Sequence, residues 1–164
     1  FSFLTQNAAE GENYGFEGSA TMDLSESINI FANLGILKTK IKNWKSRPDL
    51  EGRAQAHAPQ RSYSMGIQWK PSNQTYLSIE VTGKSSFYYS DSHNNKSKSY
   101  KLTNVSYGYK VGQWNYDVWV RNIFDTYYSV RGFYFGNEAP NFETTLYERH
   151  GDPRNLGVSV RYDF

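Results

Sequence analysis

Hydrophobic and polar residues take turns along most of this chain. From Tyr14 one phase reads Tyr14, Phe16, Gly18, Ala20, Met22, and the other reads Asn13, Gly15, Glu17, Ser19, Thr21. The same alternation carries Ile28, Ile30, Ala32, Leu34, Ile36, then Tyr63, Met65, Ile67, Trp69, then Leu77, Ile79, Val81 with Ser85, Phe87 and Tyr89 in phase. It returns in Val105, Tyr107, Tyr109, Val111, in Trp114, Tyr116, Val118, Val120, and in Leu156, Val158, Val160, Tyr162, Phe164. A period of two places one set on each face of a strand. No stretch shows helical periodicity. The pattern predicts seven strands, near 13–22, 28–42, 61–70, 74–89, 100–110, 114–127 and 154–164, with Phe1–Leu4 as the stub of another.

The connections between these strands alternate in length. Those at 23–27, 70–73 and 111–113 are tight and two carry Pro or Gly, as turns prefer. Those at 43–60, 90–99 and 128–153 are long and polar. In an antiparallel meander alternate connections lie at one end, so one end is trimmed and the other bears loops. Outer-membrane barrels have this asymmetry. The aromatics fit it: Trp69, Trp114, Tyr116, Tyr109, Tyr162 and Phe164 fall at the short-turn end, and Phe87, Tyr89 and Tyr127 near the long-loop end, as two interfacial girdles would. The polar phase mixes Ser, Asn, Thr and Gly with Glu17, Asp117, Arg121, Arg161 and Asp163, which suits a wet lumen wall. A soluble sheet with aromatic cross-strand pairs is the alternative.

Composition sharpens the choice. Only 38% of residues are hydrophobic, yet 17% are aromatic, which argues against disorder. No run approaches the roughly 20 apolar residues of a membrane helix. Eighteen basic against sixteen acidic residues leave +2, too balanced to indicate a nucleic-acid partner. The absence of Cys removes disulfides, thiolate metal sites and Cys nucleophiles. His57, His93 and His150 fall in separate loops without ligand-like spacing, so no catalytic residue, metal site or cofactor is expected, and the chain reads as a non-enzyme. It begins Phe1-Ser2-Phe3-Leu4 with no signal-like segment, as a mature or excised piece does. Seven strands and a stub fall short of an even-numbered closed barrel of eight or more, so the chain is expected to be part of a larger wall.

Two motifs near the C-terminus carry a resemblance. Asn122-Ile123-Phe124-Asp125-Thr126-Tyr127-Tyr128 resembles the Asn-Leu-Phe-Asp-x-x-Tyr segment of TonB-dependent outer-membrane receptors, with Ile123 in place of Leu. Gly151-Asp152-Pro153-Arg154, followed by Leu156 to Phe164, resembles that family's Gly-x-Pro-Arg and final strand. Gly52 to Pro59 is similar to the segment leading into an earlier strand. The likeness covers 100–164 well and 13–99 more loosely. It implies an all-β fold: an antiparallel transmembrane β-barrel segment of about seven strands plus a stub, the C-terminal part of a barrel of about 22 strands. The whole of 1–164 would belong to that barrel, with the plug domain absent from this chain. The implied function is active import across the outer membrane of a Gram-negative bacterium, of a ferric siderophore or similar scarce nutrient, driven by TonB through the missing plug. A small stand-alone barrel with a structural or adhesive role and a soluble β-sandwich binding module are the other readings.

Candidate residues follow. Asn122 to Asp125 and Gly151 to Arg154 read first as turn chemistry that bends chain away from a strand. Segment 128–150 combines aromatics with arginine, and Arg131, Phe133, Tyr134, Tyr147, Arg149 and His150 are candidates for stacking on and hydrogen bonding to a planar or anionic ligand; the alternative is that Val130, Gly132, Tyr134 and their neighbours continue the strand above the membrane and pack the loops together. Parity places Lys38, Lys40 and Lys42 on the outward phase of their strand at the long-loop end, facing outer-membrane lipid and the phosphates of lipopolysaccharide. Val158, Val160, Tyr162 and Phe164 resemble the C-terminal signal read by the barrel assembly machinery.

Overall fold

A computed structural model describes residues 10–164. Its strands are β1 (Glu10–Ser25), β2 (Ile28–Asn43), β3 (Arg61–Ser72), β4 (Thr75–Lys84), β5 (Tyr100–Val111), β6 (Trp114–Arg121), β7 (Ser129–Phe135), β8 (Thr145–His150) and β9 (Asn155–Tyr162). Among the described residues the single helical turn is a 3-10 segment at Pro48–Leu50. Seven strands form one antiparallel sheet in the order β1-β2-β3-β4-β5-β6-β9, with β1 to β6 each paired with the next strand in sequence and β6 paired with β9. β7 and β8 stand apart as a hairpin inserted between β6 and β9. The stub expected at Phe1–Leu4 lies outside the described residues.

Register confirms the two phases. Leu34 faces Tyr63, Ile67 faces Ile79, Val105 faces Val120, and Val118 faces Val158, so the apolar positions form continuous cross-strand rows. The opposite rows read Asn33–Ser64, Gly66–Glu80–Asn104 and Asp117–Ser159. Hollows in the sheet are lined chiefly by the polar phase, which makes that face the concave one. The buried hydrophobic residues Ile41, Leu50, Phe87 and Tyr89 all lie in or beside the long loops, none in the body of the sheet. Phe16 is 62% exposed, Met65 49% and Val158 65%. A soluble sandwich would bury these against a second sheet. Here the convex apolar face has no such layer among the described residues, and an apolar surface this continuous requires a nonaqueous neighbour.

Three spans differ from the sequence reading, each for a local reason. β4 stops at Lys84 rather than running to Tyr89. Phe87 and Tyr89 therefore do not join an outer girdle: they turn inward, edge to face at 6.0 Å, and form the core of the loops. β6 stops at Arg121, because Asn122 and Asp125 adopt φ of 49° and 52°, a region that Asn and Asp tolerate better than most side chains. The segment 128–153 is no simple loop, since β7 and β8 occupy half of it.

A further device lies on the concave face. Phe31, Tyr76 and Trp119 cover a glycine on the neighbouring strand. A Cβ at Gly66 would sit 2.6 Å from Phe31, at Gly108 2.0 Å from Tyr76, and at Gly157 2.2 Å from Trp119. These glycines are needed for space rather than for backbone freedom.

Candidate functional site

The long-loop end is built as one body. Arg53, whose side chain is 8% exposed, projects from the β2–β3 loop into the β4–β5 loop. It donates to the carbonyls of Ser90 (3.0 Å) and His93 (2.9 Å), to Asn94 Oδ1 (2.8 Å) and to Asp91 Oδ1 (3.0 Å). Its guanidinium lies 4.4 Å from the Tyr88 ring centre, and Lys96 lies 4.2 Å from the same ring. A planar fork with five donors can make such a set of bonds, whereas an ammonium cannot. Sequence reasoning missed Arg53, because its partners are about 40 residues away and nothing local marks them.

The β7–β8 hairpin rests on this body by one face. Tyr89 covers Gly132, where a Cβ would come within 2.4 Å of the ring, and its hydroxyl donates to Glu148. Burial, followed by the Glu148 carboxylate, pushes the Tyr89 phenol up to about 12. Tyr134 donates to Asn95 Oδ1 at 3.1 Å and packs edge to face on His93 at 4.9 Å. These contacts consume the inward face of the hairpin.

The outward face holds the chemistry. Register pairs Arg131 with Arg149, Phe133 with Tyr147, and Phe135 with Thr145, all on that face. Phe133 stacks on Tyr147 with centroids 6.4 Å apart and planes at 23°, and meets Phe135 at 5.1 Å. Tyr147 donates to Glu138 at 3.1 Å; burial, then this carboxylate, raises its phenol pKa. Arg131 and Arg149 stand opposite each other, and neither has a carboxylate partner among the described residues. Like charges directly across a ladder are unfavourable until an anion bridges them.

Of the six sequence candidates, four thus share one exposed face: Arg131, Phe133, Tyr147 and Arg149. Tyr134 lies on the other face. His150 sits at the hairpin base, its Nε2 2.5 Å from the Tyr127 hydroxyl and its Nδ1 3.2 Å from Ser129 Oγ. No carboxylate meets that imidazole among the described hydrogen bonds, so the cluster is not a hydrolytic triad.

The quoted motifs act as stitching. Asn122, 3% exposed, donates to the carbonyls of Thr126 (3.0 Å) and Asp152 (3.2 Å) and accepts from the Thr126 amide (2.8 Å). Asp125 accepts from the Arg154 amide at 2.7 Å, and the Gly151 amide donates to the Tyr128 carbonyl at 2.9 Å. Together they tie the top of β6 to the top of β9 beneath the hairpin. Below it, Tyr100 and Tyr128 meet at 4.5 Å over a trough of about 750 Å³ that also holds Glu17, Asn33 and Lys84. At the opposite end, Trp114 meets Tyr162 at 4.9 Å and Tyr162 meets Phe164 at 5.0 Å, an aromatic cluster where a girdle was expected. Lys38, Lys40 and Lys42 are exposed on the phase of Leu34 and Ile36, away from the concave face.

The fold and these stitches define a class of protein: a section of a large antiparallel barrel, polar inside and apolar outside, with its loops at one end. A family model described as TonB dependent receptor-like, beta-barrel, matches residues 1–123, and the chain belongs to that family. Its members are transporters rather than enzymes. Among solved structures, the chain is similar to the ferric yersiniabactin uptake receptor FyuA of Yersinia pestis, with a TM-score of 0.80 and 18% identity over 96% of this chain and 24% of that one. The siderophore receptor PiuA of Acinetobacter baumannii gives 0.72 and 16% over 92% and 21%. The ferripyoverdine receptor of the outer membrane of Pseudomonas aeruginosa gives 0.62 and 18% over 94% and 20%. This chain therefore spans about a quarter of the length of such receptors or less.

Proposed function

We propose that this chain is the C-terminal section of the barrel wall of an outer-membrane receptor that imports a ferric siderophore, with TonB supplying energy through a plug domain outside this chain. Support for the class of cargo comes from the β7–β8 face, where two opposed arginines lacking carboxylate partners adjoin a Phe–Tyr stack. A ferric chelate with aryl groups and net negative charge meets both demands: its rings stack on Phe133 and Tyr147, and its anionic oxygens accept from Arg131 and Arg149. Tyr134 and His150 serve this face indirectly by fixing the hairpin. The same reading assigns Val158, Val160, Tyr162 and Phe164 to recognition by the barrel assembly machinery, and places the protein in the outer membrane of a Gram-negative bacterium.

The test uses the complete receptor and a panel of ferric siderophores, with binding followed by tryptophan quenching. Replacing both arginines (Arg131→Gln with Arg149→Gln) is expected to weaken the bound chelate at least about tenfold, as loss of charge-assisted hydrogen bonds does. Unchanged affinity removes this face from the site, and failure of every ferric chelate to bind removes the class of cargo.

A further inference from the structure

Two histidines hold the β7–β8 hairpin, and their surroundings differ in one respect. His150, at its base, has a hydroxyl at each ring nitrogen: Tyr127 at Nε2 and Ser129 at Nδ1. A hydroxyl rotates to donate or to accept, so neutral imidazole and imidazolium are both satisfied there. His93, in the β4–β5 loop, has no such freedom. Its Nδ1 accepts from the Asn95 amide at 3.3 Å, and a backbone N–H can only donate. Its Nε2 is buried and has no hydrogen-bond partner among the described residues. The acceptor role of Nδ1 puts the ring proton on Nε2. A second proton would have to go on Nδ1, against the Asn95 N–H. The resulting cation would hold two N–H donors and no acceptor, a costly state for a partly buried charge.

The neighbouring charges do not offset that cost. Arg53 Nη1, from the β2–β3 loop, donates to the His93 carbonyl at 2.9 Å and sets one cation beside this residue. Lys96, of the same loop as His93, shares the Tyr88 ring with Arg53. Asp91 is held by Arg53 at 3.0 Å, and Glu148 of β8 is held by the Tyr89 hydroxyl. The Tyr134 hydroxyl of β7 donates to Asn95 Oδ1 at 3.1 Å. What His93 fixes is the seat of the hairpin. Asn95 is a junction: its amide goes to His93, its carbonyl accepts from the Tyr89 amide at 3.1 Å, and its side chain accepts from Tyr134. Tyr134 also packs edge to face on the His93 ring, and Tyr89 covers Gly132. Both inward contacts of the hairpin therefore run through a residue that His93 holds in place.

We infer that His93 is an acid-sensitive latch for the β7–β8 hairpin. Neutral His93 fixes Asn95, and with it Tyr134 and Tyr89, so the hairpin rests on the loops. Protonated His93 gives up the Asn95 amide and turns out to hydrate its charge. The hairpin, with Arg131, Phe133, Tyr147 and Arg149 on its outward face, then swings free. The open state binds a proton that the docked state excludes. Docking is therefore complete above the ordinary imidazole range, near about 6.5, and is lost as pH falls below it. The Tyr89–Glu148 contact titrates at the other end of the scale, since that phenol is pushed up to about 12. Nothing in this latch depends on what the outward face binds.

The experiment uses the complete receptor, spin-labelled through Lys98→Cys in the β4–β5 loop and Thr144→Cys just before β8, both exposed positions. Pulsed electron paramagnetic resonance reads their separation in steps from about pH 8 to about pH 5. With His93 in place, the open population is expected to rise at least about tenfold over that interval, with its midpoint in the imidazole range. His93→Asn supplies an acceptor oxygen near the Nδ1 position and takes up no proton, so its separation should not change with pH. His150→Gln and Glu148→Gln should both keep the transition. Heat-dependent gel mobility checks that each variant is folded. A constant separation with His93 in place, or a transition that persists in His93→Asn, overturns the latch. Loss of the transition in folded His150→Gln moves the switch to the hairpin base, and its loss in folded Glu148→Gln moves it to that carboxylate. Either result also overturns the latch.

Discussion

Tyr89 shows how one side chain can carry a tertiary contact. Its ring replaces the side chain that Gly132 lacks, and its hydroxyl is the donor to Glu148. Tyr89→Phe keeps the ring and removes the donor, leaving a partly desolvated carboxylate. A loss of about 1 kcal/mol is expected, or about fivefold in the opening of the hairpin, seen as faster hydrogen exchange in β7 and β8. The pH dependence has a definite sign. The phenol sits at about 12 in the folded hairpin against an ordinary value of 10. The folded state therefore holds this proton more tightly, so the contact is complete below pH 10 and is lost as pH rises from 10 to 12. Spin labels on the β4–β5 loop and on β8 of the complete receptor should separate over that interval in the wild type but show no such transition in Tyr89→Phe. A constant distance to the end of the range would refute the contact. None of this was readable from alternation, which placed Tyr89 on an outer girdle. Parity continues only while the strand does, and β4 ends five residues earlier.

Among the elements, strand phase was the best-read property and strand length the worst. The seven sheet strands and their two faces follow from a period of two, which depends on each residue and its nearest neighbours. Strand ends depend on partners far away. β6 stops where Asn122 finds Asp152, 30 residues on. β7 and β8 hid inside a segment read as loop because Arg131, Gly132, Phe133 and Tyr134 do not alternate cleanly: one face packs on loops, and the other carries charge. The glycine–aromatic rows were equally invisible, because the cover comes from the next strand. They predict a coupling. Gly108→Ala places a methyl against the Tyr76 ring, which is itself held by a 2.5 Å hydrogen bond to Asp117. Overpacking of this kind costs about 1–3 kcal/mol. In denaturant unfolding of the complete receptor, Gly108→Ala with Tyr76→Ala should lose less than the sum of the single changes. Strict additivity would show that ring and glycine do not share the site. Gly112 is the contrast: φ is 58° with open space around it, so there Ala meets only backbone strain.

For the molecule as a whole, the deciding feature is the absence of a core within the described sheet. Both faces are open, and the residues that bury themselves are under the loops. On the proposed reading the convex face meets lipid and the concave face meets water or protein, with the aromatics at the edges. Single-tryptophan variants of the complete receptor in vesicles of brominated lipid test this arrangement. Trp69 and Trp114, on the convex face, should be quenched, and Trp119, folded over Gly157 on the concave face, should not be. Equal quenching of all three would invert or abolish the two-faced sheet.

The sequence by itself determined the period, the two faces, the order of short and long connections, and the family through its stitched motifs. These are local or nearest-neighbour properties, and a single chain carries them in full. Tertiary structure alone decided three things. It showed that, among the described residues, no second layer covers the apolar face, where a soluble sandwich with the same alternation would place one. It folded four of six candidate side chains onto one face of an unforeseen hairpin. It set Tyr134 of that hairpin against His93 and Asn95. Each outcome depends on which residues become neighbours across strands and loops, and a period of two does not encode that distance.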